Sequence, residues 1–297
     1  MPSTMSSKPI LVHTKRELAA RVDAARQSGR RIGLVPTMGA LHEGHVSLAQ
    51  HACQSCDFNV VSIFVNPTQF GPHEDFDRYP RTLEADLAAL SACDIDLIYA
   101  PPASEMYPTG FATLVEPGGV ALPLEGARRP GHFRGVATVV LKLFEQARPD
   151  VAFFGRKDYQ QTLVVRQMTR DLDLPVRVEV CPTVRESDGL ALSSRNRYLR
   201  ADEREQAPVL FRSLRLAAEL IDGGQRDARV ILDQMRALIA SAPLVQLDYL
   251  VLADPDTLAD VQVIEHPTVA AVAARLGATR LIDNDQIGEW LPRPVGD

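Results

Sequence analysis

Two histidines three residues apart, His42 and His45, follow a short apolar segment and stand where a helix is expected to begin. The apolar segment, residues 32–35, predicts a buried strand, and residues 36–45 read PTMGALHEGH. A strand, a glycine-containing turn and a helix N-terminus bind anions well, because backbone N–H groups and the helix dipole point at the ligand. Imidazoles on the first helical turn add hydrogen bonds that strengthen as negative charge develops. The spacing therefore indicates a phosphate site. A helix cap and a metal pair are the alternatives, although the zinc-protease spacing HExxH is absent.

Two carboxamides follow the next predicted strand, within the sequence NPTQF at residues 66–70. The side chains of Asn66 and Gln69 both donate and accept hydrogen bonds, so they suit an uncharged polar substrate such as a hydroxy acid. The alternative is a capped loop without a ligand.

A lysine and an acid stand at a third junction between a strand and a helix, in GRKDYQQ at residues 155–161. Lys157 can reach phosphates from there, and Asp158 can cap the helix or hold magnesium. Gln161 lies one turn onward on the same predicted face. A surface lysine beside a helix cap is the alternative.

Two basic segments are further candidates for binding an anionic ligand. Residues 128–136 read RRPGHFRGV, which indicates either an anion-binding patch or a solvated basic loop. Residues 193–197 read SSRNR and lie in a segment predicted to be irregular. Polar and basic segments of this kind make good lids over a triphosphate.

A sheet must position these residues, because strands and helices alternate along the first part of the chain. The alternation predicts an α/β fold, a Rossmann-like doubly wound parallel sheet with right-handed crossovers. Ligands of such sheets bind beyond the carboxyl ends of the strands, where three of the motifs are expected. The predicted strands are residues 32–35, 59–65, 95–99, 151–154 and 176–180. The predicted helices are residues 45–54, 82–91, 136–146 and 159–171.

The pattern changes near Val184 to helices followed by a group of strands, which predicts a smaller α+β C-terminal domain. We therefore expect domains at residues 1–184 and 185–297. The predicted helices of the second domain are residues 201–222 and 228–240, and its predicted strands are residues 247–252, 268–274 and 279–283.

Composition narrows the class of protein. The 297 residues carry a formal net charge of -6, so we expect no nucleic-acid partner, and no apolar run is long enough to predict a membrane span. Residues 1–9 are polar and are expected to be a disordered start without a signal peptide, which predicts a cytoplasmic protein. Cys53 and Cys56 form a single CxxC without a second pair, which predicts reduced thiols rather than a metal or redox site.

Together these residues resemble the pantoate–β-alanine ligase family of the HxGH nucleotidyltransferase superfamily. The resemblance runs from Ile32 to at least Leu199. It implies an AMP-forming carbon–nitrogen ligase that condenses pantoate with β-alanine through a pantoyl adenylate, with ATP as substrate, Mg²⁺ as cofactor and a homodimeric assembly. The strings that carry it are PTMGALHEGH at 36–45, VNPTQF at 65–70, YPRT at 79–82, RPGHF at 129–133, FGRKDYQQ at 154–161 and SSRN at 193–196.

The resemblance also implies a role for each matched residue. In the first domain, which would bind ATP and pantoate, Asp86 resembles an acid near magnesium, and His42 and His45 resemble a phosphate-contacting pair. The second domain would act as a lid that closes over ATP. The implied catalytic residues are His42, His45, Lys157, Ser193, Ser194 and Arg195. The implied nucleotide contacts are Met38, Gly39, His45, Gly155, Lys157, Asp158, Val184, Ser193, Ser194 and Arg195, with Asp158 at the ribose. The implied pantoate contacts are Asn66, Gln69 and Gln161.

Two other functions stay open at this point. Another HxGH nucleotidyltransferase would leave Gln69 and Gln161 without a carboxylate ligand. A nucleotide-binding regulatory module that has lost catalysis is hard to reconcile with the intact His42, Lys157 and Arg195. Nothing in the pattern indicates a dedicated base for β-alanine.

Overall fold

The computed structural model describes residues 9–72 and 74–289. The expectation of a disordered start at residues 1–9 lies, apart from Pro9, outside the described residues. The chain divides into two compact units. The first contains the residues up to Arg156 and Gln160–Pro182, and the second contains Lys157–Tyr159 and the residues from Thr183 onward. The lid role expected of the C-terminal domain stays a prediction.

The first unit is built on a six-stranded sheet in which every neighbouring pair is parallel, in the order β1-β4-β3-β2-β5-β6. The predicted α/β class and Rossmann-like sheet are confirmed. The strands are β1 Ile10–Val12, β2 Ile32–Thr37, β3 Phe58–Ile63, β4 Leu97–Tyr99, β5 Val151–Gly155 and β6 Arg177–Cys181. The helices are α1 Lys15–Gln27, α2 Glu43–Ser55, α3 Leu83–Leu90, α4 Ala103–Met106, α5 Glu125–Arg128, α6 His132–Ala147 and α7 Tyr159–Asp171. β1 and α1 are elements that the sequence analysis missed.

Helices cover both faces of this sheet, which explains the continuous apolar strands. Successive side chains of a strand point to opposite faces. Leu34 accordingly packs in the core that contains residues of α1 and α6, while Val35 packs in the core that contains residues of α2 and α3. Both side chains are at most 1% exposed. Because neither face of the strand meets water, the strand reads as an unbroken apolar run.

The strand order reverses beside β2. The chain leaves β2 through α2 to reach β3 on one side, and β5 joins β2 on the other side with Leu34 beside Ala152. Such a reversal opens a crevice beyond the carboxyl ends of the two strands, where ligands of these sheets bind. Gly155 ends β5 at this edge, and a Cβ atom added there would meet nothing within 4 Å.

β2 is two residues longer than predicted, because it continues through Pro36 to Thr37. A proline lacks the N–H group that a central strand uses, so its place inside β2 conflicts with pairing on both sides. The observed pairing removes the conflict: Pro36 pairs only with Ser62 of β3, since the pairing with β5 involves Gly33 and Leu34 alone.

The second unit packs helices with a three-stranded antiparallel sheet, in the order β7-β8-β9. The predicted single helix at residues 201–222 is wrong, because Pro208 separates two helices and has no N–H to continue the first. The elements are α8 Ala201–Gln206, α9 Val209–Asp222, α10 Ala228–Ala240, β7 Val245–Ala253, β8 Thr268–Leu276 and β9 Thr279–Ile287. Across the described ranges of both units, no helix combines the length and apolar character that a membrane crossing needs.

Candidate active site

A buried carboxylate holds the turn after β2. Gly39 and Ala40 both have positive φ, at 78° and 50°, a left-handed backbone that is costly for alanine. Asp86, which is 2% exposed, accepts hydrogen bonds from the N–H groups of Ala40 at 3.1 Å and Leu41 at 2.8 Å. The Thr82 hydroxyl donates to the same carboxylate at 3.2 Å. These bonds compensate for the strained backbone and fix the path from β2 into α2.

These contacts bear on the predicted metal role of Asp86. Both of its oxygens already accept backbone N–H bonds, and the described residues contain no group of three His, Cys, Asp or Glu side chains that could hold a metal ion. A backbone clamp accounts for the buried acid without a metal. Magnesium commonly binds one or two carboxylates together with substrate phosphates. The assignment of Asp86 as a magnesium ligand stays a prediction.

The two histidines of the turn are held in one tautomer. His42 is the N-cap of α2, and its Nδ1 accepts from the N–H of Gly44 at 3.2 Å. The Nδ1 of His45 accepts from the N–H of His42 at 3.3 Å, and the two rings lie 4.1 Å apart. A neutral imidazole that accepts at Nδ1 carries its proton on Nε2. The helix cap and the phosphate role therefore use different nitrogens of His42 and are compatible.

The two predicted carboxamides lie together and are buried. Asn66 is 1% exposed and Gln69 is 8% exposed. The Nδ2 of Asn66 donates to Gln69 Oε1 at 3.1 Å and to the Gly135 carbonyl at 3.1 Å, while its Oδ1 accepts from Tyr107 Oη at 2.8 Å. Gln69 Nε2 lies 2.9 Å from the sulfur of Met38. The loop after β3 is thus connected to the end of β2, and the amide of Gln69 is oriented with its oxygen toward Asn66.

A glycine lets α6 approach this loop closely. A Cβ atom added to Gly135 would lie 2.3 Å from the carbonyl oxygen of Thr68 and 2.6 Å from Cα of Gln69. Any larger residue would therefore push the helix and the loop apart. His132, at the start of the same helix, has its Nδ1 2.9 Å from the Gln69 carbonyl oxygen.

Arg129 of the basic segment at residues 128–136 forms a partly buried ion pair with Glu74. Arg129 donates from Nε and Nη2 to the two carboxylate oxygens of Glu74, at 2.6 and 2.8 Å. Burial tends to raise the pKa of Glu74, but the hydrogen bonds and charge of Arg129 outweigh it, so the pKa lies below its ordinary value. The charge of Arg129 is therefore balanced within the first unit, and neither a solvated loop nor an anion site describes this residue.

His132 is neutral in this environment. Burial, together with the charge of Arg129, lowers the pKa of His132 to about 4. Arg129 Nη1 lies 3.1 Å from His132 Nε2, so Nε2 accepts and Nδ1–H donates to the Gln69 carbonyl. The sequence analysis missed this role of His132, because the burial of the ring and its bond to the Gln69 carbonyl depend on residues distant along the chain.

Two adjacent glutamines of α7 have different environments. Gln160 is 6% exposed, and its Nε2 donates to the carbonyls of Val120 and Pro123 at 2.8 and 2.7 Å. It therefore anchors the loop before α5. Gln161 is only partly buried and is the glutamine for which the sequence analysis predicted a ligand contact.

Lys157 and Asp158 belong by their contacts to the second unit. Lys157 Nζ lies 3.5 Å from Asp158 Oδ1, and the Lys157 carbonyl accepts a hydrogen bond from Asn284 of β9 at 2.7 Å. The segment thus follows β5 in sequence but is held by a strand of the C-terminal sheet.

The serine-rich segment is ordered rather than irregular, which corrects the prediction for its conformation. Ser194–Tyr198 form a 3₁₀ helix, and Ser193 caps it by accepting from the N–H of Arg195 at 3.2 Å. Val184 accepts from the N–H of Leu192 at 3.0 Å, so a hairpin brings Val184 beside the residue that precedes Ser193. The second unit therefore groups the predicted nucleotide contacts Val184, Ser193 and Arg195.

A family model described as pantoate-beta-alanine ligase matches residues 10–286. The chain belongs to this family. A pantothenate synthetase from Roseiflexus sp. (strain RS-1) is 56% identical over 252 residues, which cover 85% of this chain and 91% of that protein. A pantothenate synthetase from Acidobacterium capsulatum is 55% identical over 260 residues, covering 88% of this chain and 87% of that one.

Solved structures of pantoate–β-alanine ligases have the same fold. The pantothenate synthetase of Thermus thermophilus is similar with a TM-score of 0.90 and 47% identity, over 95% of this chain and 99% of that chain. The ligase of Francisella tularensis, complexed with β-γ ATP and β-alanine, is similar with a TM-score of 0.79 and 34% identity, over 94% and 97%.

The expected family is thus confirmed, and the chain is a ligase that forms a carbon–nitrogen bond. Membership of the pantoate–β-alanine ligase family decides against an HxGH enzyme that makes a dinucleotide or an activated alcohol.

Proposed function

We propose that the chain joins pantoate to β-alanine in two steps, with the first step beyond the carboxyl ends of β2 and β5. A carboxylate oxygen of pantoate attacks the α-phosphorus of ATP, the bond to the bridging oxygen breaks, and pyrophosphate leaves. The amine of β-alanine then attacks the acyl carbon of the pantoyl adenylate, which releases AMP. The observation that carries the proposal is the contact between Met38 and Gln69, because it joins the histidine turn to the carboxamide loop.

The histidine pair suits the first step. Negative charge grows on the bridging and equatorial phosphate oxygens as pyrophosphate leaves, and the protein contributes mainly positioning and donors. We propose that Nε2–H of His42 and of His45 donate to these oxygens, while each Nδ1 keeps its backbone hydrogen bond. Preorganised donors of this kind need no rearrangement when charge develops.

The carboxamides suit pantoate. Asn66 donates to Gln69 Oε1, which leaves Gln69 Nε2 as the donor of that amide. We propose that Gln69 and Gln161 bind the hydroxyl and carboxylate oxygens of pantoate and that Asn66 holds Gln69 in register. Close packing around Gln69 would then discriminate against larger acids.

The remaining contacts are proposed from the family resemblance. Lys157 would contact the phosphates and Asp158 the ribose. The chain carries a net charge of -6, so Lys157, Arg195 and a Mg²⁺ brought with ATP would supply the local positive charge. The other proposed nucleotide contacts are Met38, Gly39, Gly155, Val184, Ser193 and Ser194. A metal contact of Asp86, a homodimeric assembly and a cytoplasmic location are proposed on the same resemblance.

The test is isotope exchange between pyrophosphate and ATP. Exchange should require pantoate and no β-alanine, whereas AMP should accumulate only when ATP, pantoate and β-alanine are all present. Omitting pantoate is the matched control. Exchange that persists without pantoate would contradict the order of steps. ATP binding without any exchange would instead indicate a regulatory module.

A further inference from the structure

A buried asparagine of β9 holds the backbone of Lys157. Asn284 is 4% exposed, and its Nδ2 donates to the Lys157 carbonyl at 2.7 Å across 127 residues of sequence. Both residues belong to the second unit. The strand therefore supplies a direct hydrogen bond to the segment that carries the proposed phosphate-binding lysine.

The position of Asn284 is itself firmly set. It pairs with Ala271 of the central strand β8, and its N–H donates to Asp283 Oδ1 at 2.8 Å. Asp283 receives two hydrogen bonds from Arg185, at 2.6 and 3.1 Å, and Arg185 also donates to the Asn284 carbonyl at 3.3 Å. The side-chain amide of Asn284 is thus attached to a backbone whose N–H and carbonyl groups are both held by hydrogen bonds.

A second set of hydrogen bonds holds Tyr159, at the other end of the same short segment. The Tyr159 hydroxyl donates to the Pro255 carbonyl at 2.7 Å, and Gln286 Nε2 donates to that hydroxyl oxygen at 3.3 Å. Asn284 and Gln286 are both residues of β9. The strand therefore contacts the lysine segment at two points, one at Lys157 and one at Tyr159.

We propose that Asn284 is a positioning residue for adenylation and that it acts through Lys157. The inference rests on the proposed phosphate contact of Lys157. A lysine side chain has a long flexible stem, so the placement of its ammonium depends on where its backbone is anchored. A buried amide is costly unless its hydrogen bonds are made. The Nδ2 of Asn284 makes such a bond to the Lys157 carbonyl, which belongs to the backbone of the candidate site.

A double-mutant cycle tests the proposal. In single turnover with ATP and pantoate, Asn284→Ala should slow adenylate formation roughly ten- to a hundred-fold, as small misplacements in catalytic sites do. In a Lys157→Met background the same substitution should slow it by less than about twofold, because residues acting as one unit are not additive. Asn59→Ala is the matched control. Asn59 is a buried asparagine of β3 whose Nδ2 donates to the Cys56 carbonyl at 3.3 Å, and this variant should keep the wild-type rate.

Two results would overturn the proposal: a wild-type adenylation rate in Asn284→Ala, or an equal loss with and without Lys157. If Asn284→Ala does not fold, as judged by its unfolding transition, Asn284→Asp serves in the same cycle, because it keeps the shape and removes the donor. A wild-type rate in Lys157→Met would remove the role of Lys157 and with it that of Asn284. Pantoate-dependent exchange by the wild-type chain tests the two-step reaction separately.

Discussion

The two ring nitrogens of His42 have different partners, so substitutions can remove them one at a time. Nδ1 accepts from the N–H of Gly44 at 3.2 Å and caps α2, and Nε2 is the proposed phosphate donor. In His42→Asn the amide oxygen can still accept at the cap, because asparagine is a favoured N-cap residue, but the shorter side chain does not reproduce the Nε2 donor. In His42→Ala both functions are lost.

The two functions differ in magnitude. Loss of an N-cap to alanine costs about 1 kcal/mol of stability, whereas the asparagine variant should stay near the wild type. For a domain of roughly 150–250 residues, that loss lowers Tm by about 2–4 °C. Loss of one preorganised donor costs about 2.7–4 kcal/mol of transition-state stabilisation, which is roughly a hundred- to a thousand-fold in rate. Both variants should therefore lose adenylation, and only His42→Ala should lose stability.

The assay is a quenched single turnover with ATP and pantoate, which records pantoyl adenylate and pyrophosphate, together with thermal unfolding of each variant. Thr14→Ala is the matched control, because Thr14 caps α1 by accepting from the N–H of Glu17 at 3.2 Å. That variant should lose similar stability and adenylate at the wild-type rate. If His42→Asn forms adenylate within about threefold of the wild type, far less than a lost donor should cost, the phosphate role of His42 is refuted.

Three further outcomes follow from the packing and the buried groups. Gly135→Ala should cost about 1–3 kcal/mol of stability and weaken pantoate binding. The control Gly118→Ala, whose added Cβ would meet nothing within 4 Å, should change stability by under about 0.5 kcal/mol. Equal effects of the two variants in denaturant unfolding would contradict the close approach of α6. The unfolded chain binds a proton at His132 near pH 6.5 and the folded chain only near pH 4. The contribution of His132 to the free energy of unfolding is therefore greatest above pH 6.5. It falls by about 3 kcal/mol in total as the pH falls toward 4. Unfolding curves across that range should show this slope, and His132→Asn should remove it. Burial raises the pKa of the Cys53 thiol to about 11 and also raises that of Cys56, so neither should be a reactive thiolate; stoichiometric zinc by elemental analysis, lost in the double serine variant, would contradict this.

Local patterns in the chain were sufficient for several elements of the fold. α7 at Tyr159–Asp171 and the helix Ala228–Ala240 have the bounds that the sequence predicted, because an apolar period and its flanking residues define a helix without help from distant parts of the chain. The alternation of strands and helices likewise predicted the parallel sheet, since helical crossovers are what parallel strands need. The short motifs carried the family, and three of them follow strands at the edge where this fold binds ligands.

Tertiary structure decided the features that depend on partners far apart in sequence. β2 continues through Pro36 because only one neighbouring strand pairs there. The charge of Arg129 is balanced because Glu74 lies beside it, and no residue spacing in the sequence predicts that pair. Asp86 holds the backbone of the histidine turn at Ala40, and Asn284 holds the backbone of Lys157, each through a hydrogen bond that only the folded chain creates. A sequence pattern records what each residue can do chemically. Which atoms it meets depends on the global packing, and that is settled only when the chain has folded.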